Sequence, residues 1–112
     1  MQRWDLHAID VQPHHPEVLQ SDPEGRGILL HLPAGERLQE HRVHERTWLL
    51  VVDGEIDLLH DGESYAAGPG LLAVFDPHED NELRARSDAR LLLILAPWPG
   101  EGHPSQRSVD AG

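Results

Sequence analysis

The chain has 112 residues and carries 20 Asp and Glu against nine basic residues, all of them Arg, so its formal net charge is -11 at pH 7. This charge repels a phosphate backbone, and we therefore expect no nucleic-acid partner. No stretch approaches the roughly 18 consecutive apolar residues of a membrane span, and the N-terminus has no secretory apolar region. We expect a cytoplasmic protein without membrane contact. The absence of cysteine excludes disulfides and thiolate metal sites.

An imperfect alternation of apolar and polar residues opens the chain. The apolar positions are Trp4, Leu6, Ile9 and Val11. They predict an edge strand, followed by a loop that ends in the turn-like segment 21–25. We therefore expect an N-terminal edge strand or arm over residues 1–25.

Two strand candidates follow this segment. Residues 27–32 form an apolar run that stops at Pro33. Residues 36–44 are strongly polar and alternate poorly. We interpret them as a strand with one face in a wet pocket.

Two Asp-Gly pairs follow along the chain, and each predicts a turn. Asp53-Gly54 lies between the apolar run 48–52 and the apolar residues Ile56, Leu58 and Leu59. Since both central residues of a type I′ turn need positive φ, this pair predicts a β-hairpin. Further turns are predicted at Asp61-Gly62 and at Gly68-Pro69-Gly70.

The second half of the chain has the same organisation. Apolar runs over 71–75 and 91–96, with the strand candidate 83–86 between them, are separated by turn residues, at a spacing of roughly 8 to 12 residues without helical periodicity. The pattern predicts an all-β sandwich or barrel. Residues 97–112, rich in Pro and Gly, are expected to form a C-terminal tail anchored by Trp98, with a disordered end.

Two spaced motifs resemble those of the cupin superfamily. Its first motif is similar to Gly, five residues, His-x-His, three or four residues, Glu, six residues, Gly; Gly35, His41 and Gly54 match that frame. The second is similar to a Gly-rich turn, an apolar strand and a Pro-containing turn before a His; residues 68–75 and Pro77 match it. The resemblance covers about residues 27–96. It implies a single cupin domain over 1–112, a double-stranded β-helix (jelly-roll) barrel of two antiparallel sheets with little or no helix.

The resemblance also indicates where a metal would be bound. Cupins take His, His and Glu from the first motif and His from the second. The matching residues here are His41, Val43, Thr47 and either Asn81 or Glu82. With Asn81 in the last position only His41 is a strong metal ligand, so we expect no complete, tight cupin metal site.

Alternation along the strand favours Asn81 over Glu82 for the last position. If Asn81 faces inward, Leu83 and Ala85 also face inward, because successive side chains point to opposite faces. The other register would bury three charged side chains, Glu82, Arg84 and Arg86. We therefore assign Asn81 to the ligand position.

A non-standard metal site is the alternative. His44 is out of phase with Val43 but would turn inward at a single-residue bulge, and His78 and Glu79 in the loop after Phe75 could reach the barrel mouth. The candidate ligands are His41, His44 and Asn81, with His78 and Glu82 as alternates, for a divalent Fe, Mn, Ni or Zn ion.

The inward positions of the strands predict a pocket for a small molecule. Its candidate lining residues are His41, Val43, Thr47, Leu49, Val51 and Asn81.

Trp48 is out of phase with Thr47 and Leu49, so it should point outward and mark a subunit interface. The resemblance implies a homodimer. Tyr65 is interpreted as a strand residue with its hydroxyl at the surface.

Two functions remain open. One is a cupin that binds a small, mostly apolar molecule, is not necessarily catalytic and lacks a full metal site. The other is a metal-dependent enzyme of dioxygenase or isomerase type that uses His41 and a non-standard ligand set. The sequence does not decide whether the protein is an enzyme.

Overall fold

The computed structural model describes residues 1–40, 45–77 and 79–96, with residues 39 and 40 described by their backbone. The predictions for His41, Val43, His44, His78 and the tail 97–112 lie outside the described residues. Nine strands are present in the described part: β1 (Glu17–Asp22), β2 (Gly25–Leu32), β3 (Arg37–Glu40), β4 (Arg46–Asp53), β5 (Ile56–His60), β6 (Glu63–Ala67), β7 (Leu72–Phe75), β8 (Asn81–Ala85) and β9 (Ala89–Ala96).

The strands form two antiparallel sheets. One sheet has five strands in the order β1-β2-β9-β4-β7, and the other has four in the order β3-β8-β5-β6. The strand pairs within both sheets are antiparallel. The predicted all-β fold of two sheets is confirmed. Over the described ranges no helix is long and apolar enough to cross a membrane.

The hydrophobic core lies between the two sheets. Strand alternation sends one set of side chains from each sheet into this space, which explains the dominance of Leu, Val, Ile and Ala. Leu49 and Leu91 of the large sheet and Ile56 and Leu83 of the small sheet are completely buried there. Burial of this apolar surface is the main force that holds the sheets together.

The N-terminal prediction needs correction, since residues 4–11 form no strand. The carbonyl of Asp5 accepts hydrogen bonds from the N–H groups of Ala8 (3.0 Å) and Ile9 (3.1 Å), which folds this segment into turns. The edge strand lies later, at Glu17–Asp22. The apolar residues of the arm are used instead to cover the sheet, where Val11 (4% exposed) packs with other buried side chains.

The predicted hairpin at Asp53-Gly54 is also wrong. Strands β4 and β5 belong to different sheets and do not pair, so the Asp-Gly pair is a corner where the chain crosses from one sheet to the other. Gly54 alone has positive φ, at 84°, whereas a type I′ turn needs two such residues. The corner is held by Glu55, whose N–H donates to Ser87 Oγ (2.9 Å) and whose carbonyl accepts from Arg86 N–H (2.8 Å).

The prediction for the second Asp-Gly pair is confirmed. Asp61 and Gly62 have φ values of 50° and 77°, and they join the paired strands β5 and β6, with His60 opposite Glu63. Both central residues therefore have the positive φ that a type I′ hairpin requires. This hairpin places His60 at the end of β5.

Candidate functional site

The inner face of β8 supplies the first polar group of the candidate site. Asn81, Leu83 and Ala85 are buried, while the intervening Glu82 and Arg84 are half-buried. Glu82 lies on the other face, with its Oε2 atom 3.7 Å from Nη1 of Arg37. Asn81 is 5% exposed and is one of two buried polar residues in the described part of the chain.

The other buried polar residue, Thr47, lies on β4 of the large sheet. Thr47, Leu49 and Val51 are 3%, 0% and 1% exposed, and Trp48 between them is 39% exposed. The predicted inward and outward positions on this strand therefore agree with the structure. Whether the inward side chains line a ligand pocket stays a prediction, as does the contribution of His41 and Val43.

Thr47 and Asn81 lie at the same end of the barrel. Thr47 is opposite Phe75 at the end of β7, and the short connection 76–80 leads from there to Asn81 at the start of β8. On the other side of β8, the backbone of Glu40 at the end of β3 pairs with that of Asn81. We call this end of the barrel, defined by Thr47, His60, Glu79 and Asn81, the mouth.

The sequence interpretation missed His60. Its Nδ1 atom lies 3.1 Å from Oδ1 of Asn81 and 3.6 Å from Oε2 of Glu79. Its Nε2 atom lies 3.6 Å from Oδ2 of Asp61. Alternation could have found this residue, because His60 is in phase with the buried Ile56 and Leu58 on β5.

Three of the four side chains that define the mouth, Asn81, Glu79 and His60, increase in exposure from the interior to the solvent. Asn81 is buried, whereas the side chains of His60 and Glu79 are 38% and 29% exposed. A hydrogen bond from the Asp76 N–H to Oε1 of Glu79 (2.9 Å) orients the Glu79 carboxylate. With Oδ1 of Asn81 as acceptor, His60 donates from Nδ1. The amide and the imidazole can then present further donors and acceptors to a polar group of a ligand.

Tyr65 lies outside this cluster. Its side chain on β6 is 50% exposed, and its hydroxyl donates to Oε2 of Glu63 at 2.5 Å. The hydrogen bond to the Glu63 carboxylate, followed by the negative charge of that group, raises the pKa of Tyr65 above its ordinary value. The predicted surface position of the hydroxyl is confirmed.

Comparison with known proteins identifies the family. The family model described as Cupin domain matches residues 28–96, which is more than half of the chain. The chain belongs to the cupin family. As a cupin, it is 28% identical over 89 residues to L-ectoine synthase of Mycobacteroides abscessus, an alignment that covers 75% of this chain and 68% of the relative.

Solved cupin structures share the fold. An RmlC-like cupin protein from Desulfovibrio desulfuricans superposes with a TM-score of 0.74 at 20% identity, covering 87% of this chain and 96% of the other. A cupin superfamily protein from Desulfitobacterium hafniense gives a TM-score of 0.73 at 16% identity, covering 83% and 87% of the two chains. At these identities the likeness shows the fold alone.

The described residues of this cupin do not fit a metal ion. Within residues 1–40, 45–77 and 79–96, no three His, Asp or Glu side chains are grouped so that they could hold one. Thr47 and Asn81, at two positions that match cupin ligands, are uncharged and weak ligands. The predicted ligands His41, His44 and His78 lie outside the described residues, and we derive no chemical step through a metal.

Proposed function

We propose that this cupin binds a small, mostly apolar molecule at the mouth of its barrel, in a site that does not depend on a complete set of metal ligands. The observation that supports this most directly is the hydrogen bond between the buried amide of Asn81 and the half-exposed imidazole of His60. Binding, rather than catalysis, is the function we propose.

The surroundings of this pair support an apolar ligand. Leu83 on the same strand and Leu49 on the facing sheet are completely buried, and Phe75 packs against the core next to Thr47. Ligand sites of this kind are mostly apolar, with a few polar groups that orient the ligand. The amide and imidazole would supply that orientation.

Replacement of Asn81 tests the proposal. We expect Asn81→Leu to weaken binding of cyclohexanol, a probe with one hydroxyl and an apolar ring, by about tenfold or more, because a buried hydrogen-bonding partner is worth about 1–3 kcal/mol. Leu has the same number and branching of side-chain heavy atoms as Asn but lacks its hydrogen-bonding groups. Binding is measured by two-dimensional NMR of the protein during titration, and the wild-type shifts should concentrate on Asn81, His60 and Thr47.

The matched control is Gln20→Leu, which removes an exposed side-chain amide on β1 and should leave the affinity unchanged. Equal affinities of the wild type and Asn81→Leu, or no saturable shifts at the mouth, would contradict the proposal. So would stoichiometric Fe, Mn, Ni or Zn in untagged protein that is lost in His41→Ala.

The last outcome would favour a second candidate, a metal-dependent enzyme that uses His41 and a non-standard ligand set. The 28% identity with a relative named L-ectoine synthase is the observation that favours an enzyme. Titration of the metal-loaded protein with L-ectoine would then test a related ligand. Shifts of Asn81 and His60 that require the metal would support this candidate.

We further propose that a second copy of the chain covers an exposed apolar row on the large sheet. Trp48 pairs with Val74 on one side and with Ile94 on the other, and the three side chains are 39%, 43% and 43% exposed. Three adjacent apolar side chains on a flat face are typical of an interface. The row continues the part of the face that the N-terminal arm covers.

Sedimentation velocity tests this interface. Trp48→Glu should shift a dimer to the 12.5 kDa monomer, because the new charge would be buried without a partner. Trp4→Glu makes the same change at another exposed Trp (44%) and should leave the dimer intact. A wild-type protein that sediments as a monomer at every concentration would refute the interface.

A further inference from the structure

A second cleft lies away from the mouth, between the N-terminal arm and the strands β2 and β3. We call it the side cleft; it is formed by residues 12 and 14–16 of the arm, 30–33 around the end of β2 and 36–38 at the start of β3, and has a volume of about 240 Å³. Strand β3 begins at the side cleft and ends beside Asn81, so the two sites lie at opposite ends of this strand. The volume is below the 300–1,000 Å³ typical of drug-sized ligands, which indicates a smaller molecule.

The wall that faces the barrel is apolar. Leu30, Leu32 and Leu38 line the cleft and also belong to, or pack against, the core cluster between the sheets. Leu30 and Leu32 come from the large sheet and Leu38 from the small one, so the cleft opens between the two sheets. Pro16 and Pro33 extend this surface. A short hydrocarbon chain bound in the cleft would displace water from this apolar wall.

A strained residue closes the rim of the side cleft. His14 has φ of 65°, in the left-handed region that residues other than Gly seldom adopt. The turn around it is closed by the hydrogen bond from His15 N–H to the carbonyl of Gln12 (3.2 Å). In this conformation Nε2 of His14 lies 3.1 Å from Oε1 of Glu36, so the arm touches the opposite wall. Such strain is common at binding sites.

The charged side chains at the rim of the side cleft indicate which kind of ligand would fit it. Both partners of the His14–Glu36 contact line the cleft, which locates the Glu36 carboxylate between its two walls. Among the described lining residues Glu36 is the acidic one, and it is only partly exposed (37%). The guanidinium of Arg37, which also lines the cleft, has its own carboxylate partner on β8, with Nη1 3.7 Å from Oε2 of Glu82. The formal charge of -11 adds a field that attracts cations over the whole molecule. A cationic head above an apolar wall is therefore complementary to the cleft.

We infer that the side cleft binds a short-chain primary amine in its ammonium form. The ammonium group donates to the Glu36 carboxylate at the rim, beside the imidazole of His14. The hydrocarbon chain lies on Leu30, Leu32 and Leu38. This site is separate from the mouth and does not depend on the function proposed there.

Titration with hexylammonium, followed by NMR of the leucine methyl groups, tests the inference. We expect saturable shifts of the Leu30, Leu32 and Leu38 methyls, weaker binding of methylammonium, which lacks the chain, and no saturable shifts with hexanoate. Glu36→Gln should weaken hexylammonium about tenfold, since a hydrogen bond to a charged partner is worth about 1.5–3 kcal/mol.

The matched control is Glu24→Gln, which removes the same charge at an exposed turn between β1 and β2. It should leave the affinity for hexylammonium nearly unchanged. Equal weakening by the two Glu variants would show that only net charge matters and would overturn the inference. Shifts centred on Asn81 and His60, or hexanoate binding as tightly as hexylammonium, would overturn it as well.

Discussion

Gly54→Ala is expected to lower the free energy of unfolding by about 3 kcal/mol or more. The residue has φ of 84°, and a side chain in this left-handed region costs about 1–2 kcal/mol. A Cβ atom at this position would also lie 2.2 Å from the carbonyl oxygen of Asp88 and 2.7 Å from Cα of Ala89. Both are backbone atoms, so relief requires a shift of the turn that leads into β9. Urea unfolding monitored by Trp fluorescence measures the loss.

Gly62→Ala is the matched control for this prediction. Gly62 also follows an Asp and has a similar φ of 77°, but a Cβ atom there would meet no heavy atom within 4 Å. Only the backbone strain applies, so we expect a loss of about 1–2 kcal/mol. If both variants lose the same stability, the close approach of Asp88 to Gly54 is not a constraint on the fold.

The two Asp-Gly pairs also show how far local sequence predicts this fold. Their local signals are the same, yet Asp61-Gly62 closes a hairpin and Asp53-Gly54 joins two sheets. The difference is made by residues more than thirty positions away in the chain, since Ser87 and Asp88 lie against the first corner. Strand positions follow from composition and alternation, whereas strand partners depend on such distant contacts.

The same distinction applies to the candidate site. Period-two alternation is a property of a single strand, and the inward orientation that it predicted for Asn81 and Thr47 agrees with the burial of both residues. His60 approaches Asn81 because β5 pairs with β8, and no sequence motif predicts this pairing. His60 ends β5 in the phase of the buried Ile56 and Leu58, and this phase is the local signal that the sequence carries.

The N-terminal arm was mispredicted for a different reason. Its apolar residues are spaced almost as in a strand, but the Asp5 carbonyl accepts two local hydrogen bonds that a strand would not offer. Pro13 and Pro16, without N–H groups, separate the arm from β1. Leu6, Ile9 and Val11 therefore pack on the outer face of the large sheet from turns. Apolar periodicity alone does not distinguish these two ways of covering a sheet.

Leu49→Ala is expected to have the second large effect, a loss of about 2–5 kcal/mol in the free energy of unfolding, because it opens a cavity in a tightly packed core. Leu49 is completely buried on β4 and pairs with Ala73 on β7 and Leu93 on β9. Leu72, on the neighbouring strand β7, is 56% exposed on the same sheet. Leu72→Ala removes the same atoms and should change stability by less than about 0.5 kcal/mol.

Because a one-residue shift of β4 would exchange its inner and outer faces, the ratio of these two losses of stability tests the register on which the inward positions of Thr47 and Leu49 depend. A small loss for Leu49→Ala, or a Trp48→Ala variant that loses several times more, would mean that Trp48 rather than Thr47 faces the interior.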